Sequence, residues 1–272
     1  MSADVVRQCC ATRRDEVATS PALSGEELQR LLELIKDADS VELKLTLPEN
    51  ARSVTAAALD VDPLDAQVRQ VFFLDTPELM LNDHGVVVRA RRRQGEMGDT
   101  VVKLRPVVPA DLPEELRRSS SFNVEVDAMP GGFVCSASFK GTADNDAIRE
   151  AAAGKRAIGK LFSRGQRAFY AAHAPEGQDL DTLTVLGPIS ILKLKMKPDG
   201  FARRLVGELW MYPDGSEIVE LSTKTTPTEA FQVAAEARAF LHSRGVELSG
   251  EQQTKTKKAL EFFSTALQRA ET

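Results

Sequence analysis

At 272 residues, with 42% hydrophobic and 28% charged side chains, the chain holds enough apolar material to bury a proper core in one large or two ordinary units. A formal net charge of -5 and a pI near 5.4 exclude a global positive field toward nucleic acid or an anionic membrane, so any anion site must be local. No apolar run is long enough to span a bilayer and MSADVVRQCCATRRDE lacks the apolar stretch of a secretory signal, which predicts a cytoplasmic protein.

Residues 1–23 mix small, polar and charged side chains without periodicity and predict a flexible arm, ahead of a single domain over 24–265 and a tail over 266–272. In SGEELQRLLELIKDAD, Ser24 and Glu27 form the N-terminal signature of a helix, and apolar positions follow at helical spacing. Strand candidates come next: SVELKLTL (40–47), VRQVFFLD (68–75), GVVVRARRR (85–93), TVVKLRP (100–106) and FNVEVDAMP (122–130). After a helical stretch, DNDAIREAAAGKRAIGKLFSRGQRAFYAAH with a break near Gly154, come ISILKLKM (189–196), RRLVGELWMYP (203–213) and EIVELSTK (217–224). Turn-forming NDHG, QGEMGD, KPDGFA and PDGS favour antiparallel pairing, and two amphipathic helices close the chain. Cys9, Cys10 and Cys135 lack metal-ligand spacing and read as reduced thiols, while His84, His173 and His242 are too scattered for a histidine metal cluster.

The strands alternate in an unusual way. One face of the first carries Ser40, Glu42, Lys44 and Thr46; others carry Arg89, Arg91 and Arg93, then Lys103 and Arg105, Glu125 and Asp127, Lys193, Lys195 and Lys197, and Glu220, Ser222 and Lys224. Taken singly, each is what a sheet with one solvated face would show. Together they segregate into basic and acidic strands, and like charges repel across neighbours. Such ladders are tolerable around a polyanion whose bound divalent cation is held by the acidic strands. Eight strands of this kind would close into an antiparallel β-barrel with its polar face inward and helices over its apolar outside, an α+β fold.

These residues resemble the CYTH proteins, or triphosphate tunnel metalloenzymes, in a stand-alone form of actinobacterial type. SVELKL is similar to their first-strand ExExK, VFFLDTPELMLNDHGVVVRARRR to an aromatic-Asp-Thr-Pro segment before an Arg-x-Arg strand, and TVVKLRP to a lysine-bearing fourth strand. LFSRGQRAFY resembles a helix of many members, and IVELSTK the closing strand ELELK. The resemblance implies an eight-stranded tunnel, Mg²⁺ or Mn²⁺ as cofactor, and a small-molecule triphosphate or polyphosphate as substrate, in a monomer or homodimer. By the same resemblance, Lys44 and Glu42 are the catalytic pair; Lys44, Arg89, Arg91, Lys103, Arg105, Lys193, Lys195 and Lys224 hold phosphate; and Glu42, Glu125, Asp127 and Glu220 hold metal. The implied activity is a metal-dependent triphosphatase, with a weakly catalytic polyphosphate- or nucleotide-binding protein and an adenylyl cyclase as alternatives. Ser40 and Ser222 stand where many members have Glu, so two motif carboxylates are missing, and Glu125, Asp127 or an inward Glu208 would have to supply the charge.

Overall fold

The computed structural model describes residues 24–48, 51–246 and 255–270; the expected N-terminal arm lies outside them. Nine strands form one closed barrel: β1 (Ser40–Leu47), β2 (Gln67–Asp75), β3 (Val86–Arg93), β4 (Gly98–Leu104), β5 (Phe122–Met129), β6 (Gly132–Ala143), β7 (Thr184–Met196), β8 (Leu205–Met211) and β9 (Glu217–Thr225). Around the ring the order is β1-β5-β6-β4-β3-β2-β7-β8-β9, with β9 returning to β1.

Two features correct the expected eight-stranded antiparallel barrel. The additional strand is β6, whose inward residues, Val134, Ser136 and Ser138, bear no charge before Lys140, so it lacks the pattern that marks the others. The barrel is also mixed. A ring with an odd number of strands cannot alternate direction at every contact, and the parallel contact falls between β1 and β5, with Ser40 beside Glu125 and Glu42 beside Asp127.

Helices supply the apolar cover that a polar-inside barrel requires. The first, α1 (Gly25–Lys36), starts at Ser24 through the capping box read from sequence and buries Leu31 and Ile35. The helices α2 (Arg52–Ala58), α3 (Met80–Asp83) and α4 (Glu114–Arg117) are short connectors. The middle stretch splits into α5 (Asn145–Ala152) and α6 (Arg164–Ala171) around Gly154, whose φ is +70°. Ile148, Phe169 and Tyr170 from these two pack with Val88, Val102, Val124 and Ala137, the outward residues of β3 to β6. The remaining pair is α7 (Ala230–Ser243), which covers Leu45, Leu205 and Leu221, and α8 (Lys255–Ala270). No helix among the described residues is long and apolar enough to cross a membrane.

Gln166 of α6 fastens this outer layer to the barrel. It is fully buried, its Nε2 donates to the carbonyls of Thr100 (3.1 Å) and Phe139 (3.2 Å), and its Oε1 accepts from the Thr100 hydroxyl (3.1 Å) and the Ser163 N–H (3.0 Å). Gly141 permits this approach, since a Cβ there would stand 2.3 Å from Gln166 Oε1. Gln166→Leu strands several buried polar groups at once and should cost about 3 kcal/mol, read as a lower midpoint in urea unfolding. An unchanged midpoint would show that the contact is dispensable.

Candidate functional site in the barrel lumen

Cross-strand partners in a sheet point to the same face, so the register fixes which side chains enter the barrel. Lys44 pairs with Ser222, Glu42 with Lys224 and Asp127, Lys193 with Glu208, and Glu208 with Glu220. The predicted polar face of β1 therefore looks into the lumen, as do Arg89, Arg91 and Lys103.

One wall of the lumen is a carboxylate trio. Glu42, Glu125 and Asp127 each bring an oxygen within 4.8 Å of the others, joined by the parallel β1–β5 contact. Ser40, standing where an acid was expected, donates its hydroxyl to Glu125 Oε2 at 3.3 Å, so β5 supplies carboxylates beside the strand that lacks one. Lys44 Nζ lies 2.8 Å from Asp127 Oδ1 and 3.2 Å from Glu42, Lys103 and Arg105 lie 3.6 Å and 3.7 Å from Asp127 Oδ2, and Lys224 pairs with Glu125. Burial alone would raise the Asp127 carboxyl, but Lys44, Lys103 and Arg105 override it and hold it at about 2. Burial likewise opposes the charge on Lys44, yet Glu42, Asp127 and Glu220 raise its pKa well above the ordinary value. All-oxygen donors at this spacing suit a hard divalent cation such as Mg²⁺ or Mn²⁺, so the trio fits the cofactor that the resemblance implied. Glu220, the fourth predicted ligand, is not among them: it accepts from Lys255 at 2.7 Å.

The opposite wall is basic. Arg89 has its Nε buried with no hydrogen-bond partner among the described residues, and burial followed by repulsion from Arg91 lowers its pKa to about 10. Arg69 of β2, which the sequence reading did not select, is 4% exposed and lowered to about 10 by the same two causes. Arg91, by contrast, is held by Asp99 at 2.7 Å, and Arg93 by Glu96 and Asp99. Arg105 is placed by Gly85, whose φ of +72° brings its carbonyl 2.8 Å from the Arg105 N–H. Lys193 bonds Glu208 at 2.8 Å, whereas Lys195 is exposed near the end of β7. Lys140 of β6, also missed, follows Ser136 and Ser138 on the inward face and is exposed.

Part of the interior is apolar, which the charged faces did not foretell. Val71, Phe73, Ile191 and Trp210 share the inward face of β2, β7 and β8, and they pack with Ala259 and Leu260 of α8. Lys155, Arg156, Lys160, Arg164 and Arg167 lie exposed in the outer layer around α5 and α6.

No known family profile and no curated protein matches the chain. Solved structures do. A candidate adenylyl cyclase of Hippeastrum, described as having a dominant triphosphatase activity, superposes with a TM-score of 0.57 at 20% identity, over 78% of this chain and 91% of its own. A candidate adenylate cyclase of Bacillus halodurans gives 0.55 at 12% identity, over 81% and 97%. The chain shares their fold. Identity at this level carries no substrate with it, so the chemistry has to be argued from the lumen itself.

Proposed function

We propose that this protein is a metal-dependent triphosphatase of the CYTH, or triphosphate tunnel, type, acting on a small triphosphate inside the barrel. The observation that carries the reading is the juxtaposition of Arg89, ionised and with an unpartnered buried Nε, and a three-carboxylate cation site in one closed lumen. A buried guanidinium N–H without a partner is costly unless a ligand completes it. A triphosphate would do so, and the basic wall would neutralise charge on its oxygens as the terminal phosphoryl group is transferred to water. Glu42, Glu125 and Asp127 would hold the cation, which, when bound, polarises phosphoryl oxygens and orients the reacting groups. Lys44 ties β1 to β5 within the carboxylate wall, since it touches both Glu42 and Asp127 and is held charged by them.

Purified protein with Mn²⁺ or Mg²⁺ should release phosphate from tripolyphosphate, and tripolyphosphate should raise its melting temperature even without metal, because a ligand bound only by the folded form stabilises it. Absence of both effects would leave the charges as wall chemistry without a ligand. A second reading, binding without turnover, is favoured by Ser40 and Ser222, which lower the number of anionic ligands available for a cation. Stabilisation without phosphate release would select it.

A further inference from the structure

A second pair of carboxylates faces the lumen, outside the trio. Glu208 of β8 and Glu220 of β9 stand directly opposite each other, with side chains 12% and 8% exposed. Two inward acids at adjacent positions repel unless a cation lies between them. One does, and it belongs to the chain: Nζ of Lys255, the first residue of α8, bonds Glu208 and lies 2.7 Å from Glu220. The seat is built on every side. The ammonium sits 4.9 Å from the centroid of the Trp210 ring, the Trp210 Nε1–H donates to Glu208 at 3.1 Å, and Lys193 takes the other oxygen of Glu208 at 2.8 Å. The Tyr212 hydroxyl donates to the Lys255 carbonyl at 3.1 Å, and the Ser264 hydroxyl, further along α8, donates to the Pro77 carbonyl at 2.8 Å. The start of α8, which delivers the charge, is thereby fixed to the barrel.

From this geometry we infer that Lys255 is a built-in counter-cation that takes the place a second divalent ion would otherwise fill, so that the lumen accepts one such ion, at Glu42, Glu125 and Asp127. The inference deepens the cation-dependent reading above and rests on it for the first site only. An ammonium supplies a single charge and here spends two of its three N–H donors on Glu208 and Glu220, with the Trp210 ring beside it, whereas a divalent ion carries twice the charge and can bridge carboxylates and substrate. The Glu208–Glu220 side of the lumen is thus committed to holding α8 rather than substrate.

The test counts bound Mn²⁺, from the electron paramagnetic resonance signal of the free ion, in wild type, Lys255→Arg and Lys255→Met. Wild type and Lys255→Arg should take up one equivalent, Lys255→Met two, and Lys255→Met with Glu208→Gln one again. Equal uptake in wild type and a folded Lys255→Met overturns the inference, as does a second equivalent in wild type. If Lys255→Met does not fold by itself, Mn²⁺ or the added Glu208→Gln change should restore a cooperative melt; failure of both overturns it too. The readouts are separable from the functional reading: the expected ion counts without phosphate release would sink the triphosphatase and leave this inference standing. Phosphate release with equal ion counts would do the reverse.

Discussion

Asp127→Asn should destabilise the protein by roughly 3 to 5 kcal/mol, the range for breaking a buried ion pair from one side, and should abolish metal-dependent phosphate release. The side chain is fully buried and is the carboxylate that Lys44, Lys103 and Arg105 share. Lys44 would keep Glu42, but Lys103 and Arg105 have no other carboxylate within ion-pair distance among the described residues. An amide of the same shape therefore leaves partly buried cations uncompensated without opening a cavity, which separates charge from packing. The variant should also respond differently to acid. Because the folded-state pKa of Asp127 lies at about 2, below the ordinary 3.8, its contribution is present above about pH 4 and is lost as pH falls through 2. That difference amounts to roughly 2 kcal/mol. Urea unfolding at pH 7 and at pH 3 would show wild type losing more stability between the two than Asp127→Asn does. Glu208, whose pKa is also lowered against the effect of burial, contributes to the acid loss of both proteins, whereas Glu42 shares Lys44 with Asp127 and is repelled by it, so the comparison reads Asp127 together with its effect on Glu42. Parallel losses would mean that Asp127 does not carry its three cations.

How much of this was legible follows from what a period of two can encode. Glu42 and Lys44, Arg89 and Arg91, and Glu125 and Asp127 stand at alternate positions opposite apolar neighbours, so their common face was readable, and the register confirms it. The pattern fails where both faces are apolar. In β2, Arg69 shares its face with Val71 and Phe73 while Phe72 and Leu74 occupy the other, so nothing in QVRQVFFLD says which way the arginine points. It fails for β6 for the opposite reason, since small uncharged residues inside leave no signal to pair with Phe133, Cys135 and Phe139 outside. The parallel contact between β1 and β5, which assembles the trio, has no local signature because it joins segments about eighty residues apart. Lys255 was invisible for a further reason: it lies on a helix, and alternation along strands cannot find a cation delivered from outside the sheet.

Two arginines on one face of β3 should respond in opposite directions to the same substitution. Arg89→Met should stabilise the ligand-free protein by about 2 kcal/mol, because a group whose charge is disfavoured by burial and by Arg91 and Arg69 costs free energy when ionised. Its surface faces the lumen, so water there softens the penalty, and the figure is set below the full shift for that reason. Arg91→Met should instead destabilise, since Asp99 would lose its bonds from Arg91 Nε at 3.0 Å and Nη2 at 2.7 Å while its other oxygen is already buried without a partner. Binding reverses the ranking. Arg89 has hydrogen-bonding capacity to offer an incoming anion, whereas Arg91 must first release Asp99. Loss of Arg89 should therefore weaken tripolyphosphate binding by about 10- to 100-fold, the worth of a charge-assisted hydrogen bond, and loss of Arg91 by less. Urea unfolding without ligand and calorimetric titration with tripolyphosphate measure the two quantities on the same samples. A gain in stability coupled to a loss in affinity at position 89 is what a site strained in the absence of its anion must show. If Arg89→Met were less stable and bound tripolyphosphate as wild type does, the guanidinium would be a structural strut, and the basic wall would lose its strongest claim to a ligand.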